Sequence, residues 1–238
     1  HAEITQPESL LHICQDVDIV FSSVGITKQK DGLTYHEVDF QANMNLLQEA
    51  IKSGVKKFVY IAVLNGEKFR NLKICEEKER FVTALKKSAI DYIIIRPNGY
   101  YSDMGTYFEM ARKGKVFLLG KGNNRMNPIS GEDLAKFCVA NIQSAEKELM
   151  VGGPEIFTHN QMAKLALRIC SKKEKIIHIP RWIPELLVRI ARIFTSSKIY
   201  GPFEFVETVL TRDMIAPTYG TYKLSDYFSS LNNNGSHP

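Results

Sequence analysis

A lysine stands on a helix face where an apolar residue belongs. In LKICEEKERFVTALKK (residues 72–87), Ile74, Cys75, Phe81, Val82 and Leu85 all fall within about 60° of Lys78 at about 100° per residue. Glu76, Glu77, Glu79 and Arg80 are expected to face away. An ammonium centred on a core-facing stripe must snorkel to water and pair with Glu79 or another surface carboxylate, or act as a donor to something held there. Just downstream, DYIIIRPNGYYSDM (residues 91–104) is an apolar run that stops at Arg96-Pro97 and leads into two phenols. Tyr100 or Tyr101 could give a proton to a substrate, or both could pack in the interior. Arg125 and Asn127, in the polar loop GKGNNRMNPI, could meet a small anionic or polar ligand, although Asn127-Pro128 is equally a turn signal.

Other chemistries are excluded more readily. The four cysteines, Cys14, Cys75, Cys138 and Cys170, are far apart, form no CxxC and share no metal-ligand spacing with the six histidines. They read as buried free thiols, which suits a reducing cytoplasm, and no metal site is expected. A net charge of +5 favours an anionic ligand but is too weak for a nucleic-acid partner, and no basic run is interleaved with aromatics. No apolar run reaches the roughly 18 residues of a membrane span.

The elements that must position these residues alternate. Residues 17–24, 57–63 and 92–95 read as continuous apolar strands, and residues 37–53 and 72–87 as helices between them. Strands of that kind separated by helices predict an α/β fold, a doubly wound, Rossmann-like parallel sheet covered on both faces. Further on, Val116–Leu119 reads as a short strand. Ser130 is the expected N-cap of a helix reaching about Ile142, with Asp133 reaching back to it. Residues 158–170 form another helix. A basic amphipathic helix at residues 180–194 could touch a membrane surface, but its apolar face is expected to pack on its own domain. The expected division is a nucleotide-binding domain over residues 1–150, a small mostly helical cap over 151–231 and a disordered tail over 232–238.

In order and spacing, DVDIVFSSVGI, VDFQANMNLLQEAIKSGVKKFVYIAVL, KERFVTAL, DYIIIRPNGYYSDM and MNPISGEDLAKFC resemble the atypical and extended short-chain dehydrogenase/reductase superfamily, close to its NmrA-like members. They cover most of residues 16–138. The resemblance implies that NAD(H) or NADP(H) binds along the C-terminal edge of the sheet. It implies Ser22, Ser23, Val24 and Gly25 against the adenosine-ribose and pyrophosphate, Ala62 and Val63 near the nicotinamide, and Lys78 on the nicotinamide-ribose hydroxyls. Pro97, Asn98, Gly99 and Tyr100 would line the nicotinamide amide. Lysine suits its role because three donors on a flexible stem can bridge two hydroxyls.

Two departures matter. The superfamily pairs its lysine with a tyrosine four residues earlier and an upstream serine; here those places hold Ile74 and Ala62, so the usual ketone/alcohol proton relay is missing. No G-x-G-x-x-G occurs either, and Gly120-Lys121-Gly122 leads into NPIS rather than directly into a helix. The expectation is a shortened or partly ordered form of a longer protein, lacking roughly 50–60 N-terminal residues, with an open sheet edge and weakened cofactor binding. The leading expectation is an NAD(P)-dependent oxidoreductase acting on a small organic substrate, with Lys78, Tyr100 and Tyr101 as catalytic candidates and Arg125 and Asn127 toward the substrate. The rival is a non-catalytic NAD(P)-binding redox sensor or scaffold. A small-molecule substrate and a cytoplasmic location are expected, membrane contact is not, and homo-oligomerisation is left open.

Overall fold

Two strands with apolar side chains on both faces set the architecture. In β2 (Lys57–Ile61) Phe58, Val59 and Tyr60 are fully buried, as are Ile93, Ile94 and Ile95 in β3 (Asp91–Pro97). They pair in parallel with each other, and β1 (Ile19–Ser22) pairs in parallel with β2, in the register Ile19–Lys57–Asp91. The computed structural model describes residues 1–26 and 32–234, without the side chain of Asn234. Its central sheet has the order β1-β2-β3-β6, where β6 is Glu148–Val151. Strands stepping outward in chain order form one half of a doubly wound sheet, the α/β class expected. β1 is an edge strand, and its Phe21 is 46% exposed.

The helix expected over 37–53 is a π-helical segment, His36–Ala42, continued by α1 (Asn43–Lys52). α2 (Lys73–Lys87) begins after an extended Leu72, with Glu76 in its first turn and Lys86 and Lys87 in its last, the charge order that the helix dipole favours. Its stripe of Ile74, Cys75, Phe81, Val82 and Leu85 is buried as expected, and Phe81 meets Phe58 and Tyr60.

Two expectations about α2 fail. Glu77 and Glu79 do not face water; they are 8% and 1% exposed. Glu79 takes two hydrogen bonds from the guanidinium of Arg96, at 2.6 and 3.2 Å, and Arg96 also donates to Glu148 at 3.0 Å and to the carbonyl of Val63. The arginine that ends β3 is therefore a clasp between that strand and α2.

Contacts divide the chain into two compact units: His1–Arg96 with Asn141–Leu149 and Ala191–Phe205, and Pro97–Ala140 with Met150–Ile190 and residues from Val206 onward. The chain passes between them several times, which one boundary near residue 150 does not describe. The second unit contains α3 (Tyr101–Arg112), β4 (Val116–Leu119), β5 (Arg125–Met126), α4 (Gly131–Ala140), β7 (Phe157–Thr158), α5 (His159–Ile169) and β8 (Ile176–Ile179). β4 pairs in parallel with β8, and β5 antiparallel with β7. α5 starts at a capping box, with Thr158 and Gln161 exchanging side-chain and backbone bonds. Ser130 accepts from the Asp133 N–H as expected, but the Asp133 carboxylate does not reach back; it accepts from the N–H groups of Thr221 and Tyr222.

Three helices were not expected from the sequence: α3, α7 (Ser197–Leu210) and α8 (Leu224–Asn234). α8 takes up residues 232–234 of the supposed tail, burying Leu224 and Phe228, while residues 235–238 lie outside the described residues. The helix at 180–194 is α6 (Trp182–Phe194), and none of its residues is buried, against the expectation that its apolar face packs inward. No described helix is long and apolar enough to cross a membrane. Among the described residues no group of side chains could hold a metal ion, and the four cysteines are free, three of them buried and Cys170 half-buried.

Removing one partner of a buried pair strands the other charge. Glu79→Ala should therefore lower unfolding free energy by about 3–5 kcal/mol in urea titrations. In the second unit, burial holds the His159 imidazole down at about 4, next to the Tyr107 hydroxyl at 2.8 Å. It is neutral when folded, whereas unfolded chain protonates it near 6.5. Stability should thus fall as pH drops from about 6.5 toward 4, by up to roughly 3 kcal/mol. His159→Asn should flatten that part of the melting-temperature profile.

Candidate functional site

The site is built where β1 ends. Ser22, the last residue of the strand, is buried and donates through Oγ to Asn43 Oδ1 at 2.6 Å. The Asn43 amide in turn donates to the carbonyls of Val24, Val38 and Asp39. One carboxamide thereby fixes the chain leaving β1 against the π-helical segment. Ser23 and Gly25 are exposed and Val24 is half-buried, so the backbone at the carboxyl end of the strand is open to a ligand.

Lys78 comes to this place from α2. Its ammonium lies 2.7 Å from Asp39 Oδ1; the lysine side chain is 13% exposed and that of Asp39 not at all. The Ile26 N–H supports the other carboxylate oxygen at 3.5 Å. Burial pushes the Asp39 carboxyl above the ordinary carboxylate range, and the ammonium opposes that shift. The lysine does not snorkel toward Glu79: it is drawn to a buried partner on another helix. Tyr60 of β2 lies beneath it, ring centroid 5.9 Å from the ammonium, fully buried and with no hydrogen bond of good geometry to its hydroxyl. Burial raises the Tyr60 pKa against the pull of Lys78, so the phenol keeps its proton.

Gly25 closes the arrangement. A Cβ at this position would overlap the Lys78 ammonium and stand 2.6 Å from Asp39 Oδ1, so close approach of the lysine needs glycine there. Asp39, Asn43 and Tyr60 were not singled out from the sequence. Asp39 and Asn43 did carry a signal, polar residues four apart on a helix whose neighbours Ala42 and Leu47 are buried.

The remaining candidates separate into two groups. Ala62 is buried just past β2, its N–H still bonded to Ile95, and Val63 follows half-buried. Pro97, Asn98, Gly99 and Tyr100 belong to the second unit, as do Tyr101, Arg125 and Asn127. Several of these are committed to structure. Asn98 donates to Asn127 Oδ1 and to the carbonyl of Met214, both at 2.7 Å, and its own oxygen accepts from Gly99. Asn127 is fully buried and donates to Gly153 and Ala216, so its expected substrate contact is replaced by a role as an interior hub. Arg125 is held in a two-pronged pair with Asp213. Tyr101 is buried and donates to the carbonyl of Tyr222, with its pKa raised chiefly by burial, which is the packing alternative. Tyr100 is half-buried at the N-cap of α3. The two surface grooves, one lined by Phe40, Arg70, Arg80 and Lys87 and another by Gln161, Lys164 and Arg168, contain neither Lys78 nor Gly25. The site is therefore defined by the Lys78–Asp39 ion pair.

In open parallel α/β sheets ligands bind outside the carboxyl ends of the strands, which is where residues 23–25 and Lys78 stand. The model of the NAD(P)H-binding family matches residues 1–145, and the chain belongs to that family. It is 23% identical over 96% of its length to the photosystem II assembly factor Ycf39 of Trieres chinensis, spanning 76% of that protein. Over 82% of its length it is 26% identical to the chloroplastic divinyl chlorophyllide a 8-vinyl-reductase of Arabidopsis thaliana, spanning 54% of it. Among solved structures it shares its fold with the NADPH complex of an NADPH-dependent quinone oxidoreductase from Escherichia coli, at TM-score 0.71 and 15% identity over 98% of this chain and 83% of that one. A nucleoside-diphosphate-sugar epimerase from Staphylococcus aureus superposes at TM-score 0.71 and 15% identity, over 96% and 82% of the two chains.

The residues at the end of β1 fit such a cofactor: an exposed strand-end backbone with an ammonium drawn close beside it. Because Asp39 is buried, Lys78→Met should be destabilising by about 3 kcal/mol. Lys78→Met combined with Asp39→Leu should recover a large part of that loss. Equal stability of the single variant and the parent in urea titrations would refute the pairing.

Proposed function

We propose that the protein is an NAD(P)-dependent oxidoreductase that reduces a small organic substrate. The observation that carries this reading is the Lys78 ammonium, buried against Gly25 within the residues that define the family. When bound, reduced nicotinamide supplies a hydride. Lys78 would donate to the hydroxyls of the nicotinamide ribose, with Asp39 holding its stem in place and Tyr60 shielding it from below. The exposed backbone of Ser23 and Gly25 would face the pyrophosphate side.

Ala62 and Ile74 offer no proton where the superfamily's relay has hydroxyls. That favours substrates whose reduction needs no phenol poised on a carbonyl oxygen, such as an electron-poor alkene or a quinone, with the proton coming from water. The similarity to a vinyl reductase points the same way. The loss of both hydroxyls, with the similarity to an assembly factor, favours a second reading: a protein that binds NAD(P)H without turning it over and acts as a sensor or scaffold.

Nicotinamide fluorescence titration should show NADH or NADPH binding, weakened about 10- to 100-fold in Lys78→Met, the scale of a lost charge-assisted hydrogen bond. Against a panel of ketones, enones and quinones, cofactor consumption should appear with enones or quinones and not with simple ketones. Binding without consumption across the panel would select the second reading.

A further inference from the structure

α6 is mounted with its apolar face outward. At about 100° per residue, Trp182, Ile193, Leu186, Ile190, Ile183, Phe194 and Leu187 lie in one arc of about 140°. Six of them are exposed, from 45% for Ile190 to 79% for Phe194. The side that is only half-exposed is the opposite one, carrying Pro184, Val188 and Ala191. Folding alone gives no reason for this orientation, because the larger apolar side chains are left in water. α7 repeats the pattern, with Ile199 56% and Phe203 67% exposed, one turn apart on a single face.

Charge decides what covers such a face. Residues 181–198 carry Arg181, Arg189, Arg192 and Lys198 against Glu185 alone. Arg189 lies at the border of the apolar arc and has no ion pair among the described residues; Arg192 is paired to Glu204 and so fastens α6 to α7 within the first unit. At 13 residues the helix is about 20 Å long, too short to span a bilayer but suited to lie along one. A strong apolar face containing tryptophan and phenylalanine, bordered by arginine, is the composition of an interfacial helix. A second protein copy would bring the same cations against themselves.

We propose that α6 is a membrane-contact helix whose Trp182–Phe194 face enters the headgroup region of an anionic bilayer, with Arg189 on the lipid phosphates. This goes beyond the oxidoreductase reading and does not depend on it.

Trp182 is the only tryptophan, so its emission reports contact directly. With vesicles of phosphatidylcholine and phosphatidylglycerol, its emission should shift to the blue and be quenched by brominated acyl chains, and the protein should float with the vesicles. Phosphatidylcholine alone should bind far less, and salt should weaken the anionic case. Leu187→Glu with Phe194→Glu, both at exposed positions, should abolish flotation while leaving the melting temperature and circular dichroism unchanged. Arg189→Gln should weaken binding about fivefold, the contribution of one cation near an anionic surface. No shift or flotation with anionic vesicles would overturn the proposal, as would undiminished flotation of the double glutamate variant. A blue shift that grows with protein concentration in the absence of lipid would also overturn it, in favour of a second copy on this face.

Discussion

Glu77, Lys78 and Glu79 are consecutive on α2, point about 100° apart, and are all withdrawn from water. Two are captured by the π-helical segment and the third by β3. Glu77 takes the His36 ring at 2.9 Å and Arg80 at 3.0 Å; Lys78 takes Asp39; Glu79 takes Arg96. Three charges in a row, two of them buried and the third largely so, are tolerable only because every one has a partner at hydrogen-bonding distance. α2 is thereby fixed in rotation and height on two sides, by the π-helical segment and by β3. The apolar stripe brings the helix to the sheet, and the charges determine how it sits there.

That fixation is what the site requires. A lysine held only by its alkyl stem would spread its ammonium over several rotamers, and ordering it for a ligand would cost side-chain entropy. Asp39 settles that cost in the fold itself. Asn43 does the same for the chain leaving β1, with three backbone carbonyls converging on one amide. The π-helical segment matters because it carries Asp39 in the same stretch as two of those carbonyls, Val38 and Asp39. Wider turns of this kind often mark positions where a side chain has been re-aimed.

How much of this was legible in the sequence follows from the kind of signal each part emits. β2 and β3 are buried on both faces, so they read as unbroken apolar runs and were placed within two residues. The α2 stripe was equally clear. Glu77 and Glu79 were not, because periodicity scores one apolar face and assigns every charge to water. Their partners, His36 and Arg96, are remote in sequence and give no local cue. α3 was missed because it starts four residues after Pro97 and contains Gly105, both breaker signals; it is stabilised by burying Met104, Phe108 and Ala111. α8 was missed because its LNNN end is polar and only its Leu224 and Phe228 are fully buried. Lys78 itself was found because it broke the pattern around it, and Asn127 was misread because a buried hub and a polar loop residue look alike in one dimension.

The replacement at residue 74 changes what Lys78 can do. Residues 74 and 78 are one turn apart on the same face, the spacing that brings a phenol and an ammonium together in the superfamily's usual pair. Here Ile74 is 5% exposed and belongs to the apolar stripe, and Ala62 is buried at 5% as well. The ammonium instead pairs with a carboxylate, Asp39, at 2.7 Å. Beside a phenol, a cation stabilises phenolate and so drives proton transfer; beside Asp39, much of that charge is already balanced. Tyr60, the phenol that does lie close, is fully enclosed and keeps its proton. Lys78 is thereby withdrawn from the phenol–ammonium relay that the superfamily builds at this spacing, and its charge holds α2 to the π-helical segment.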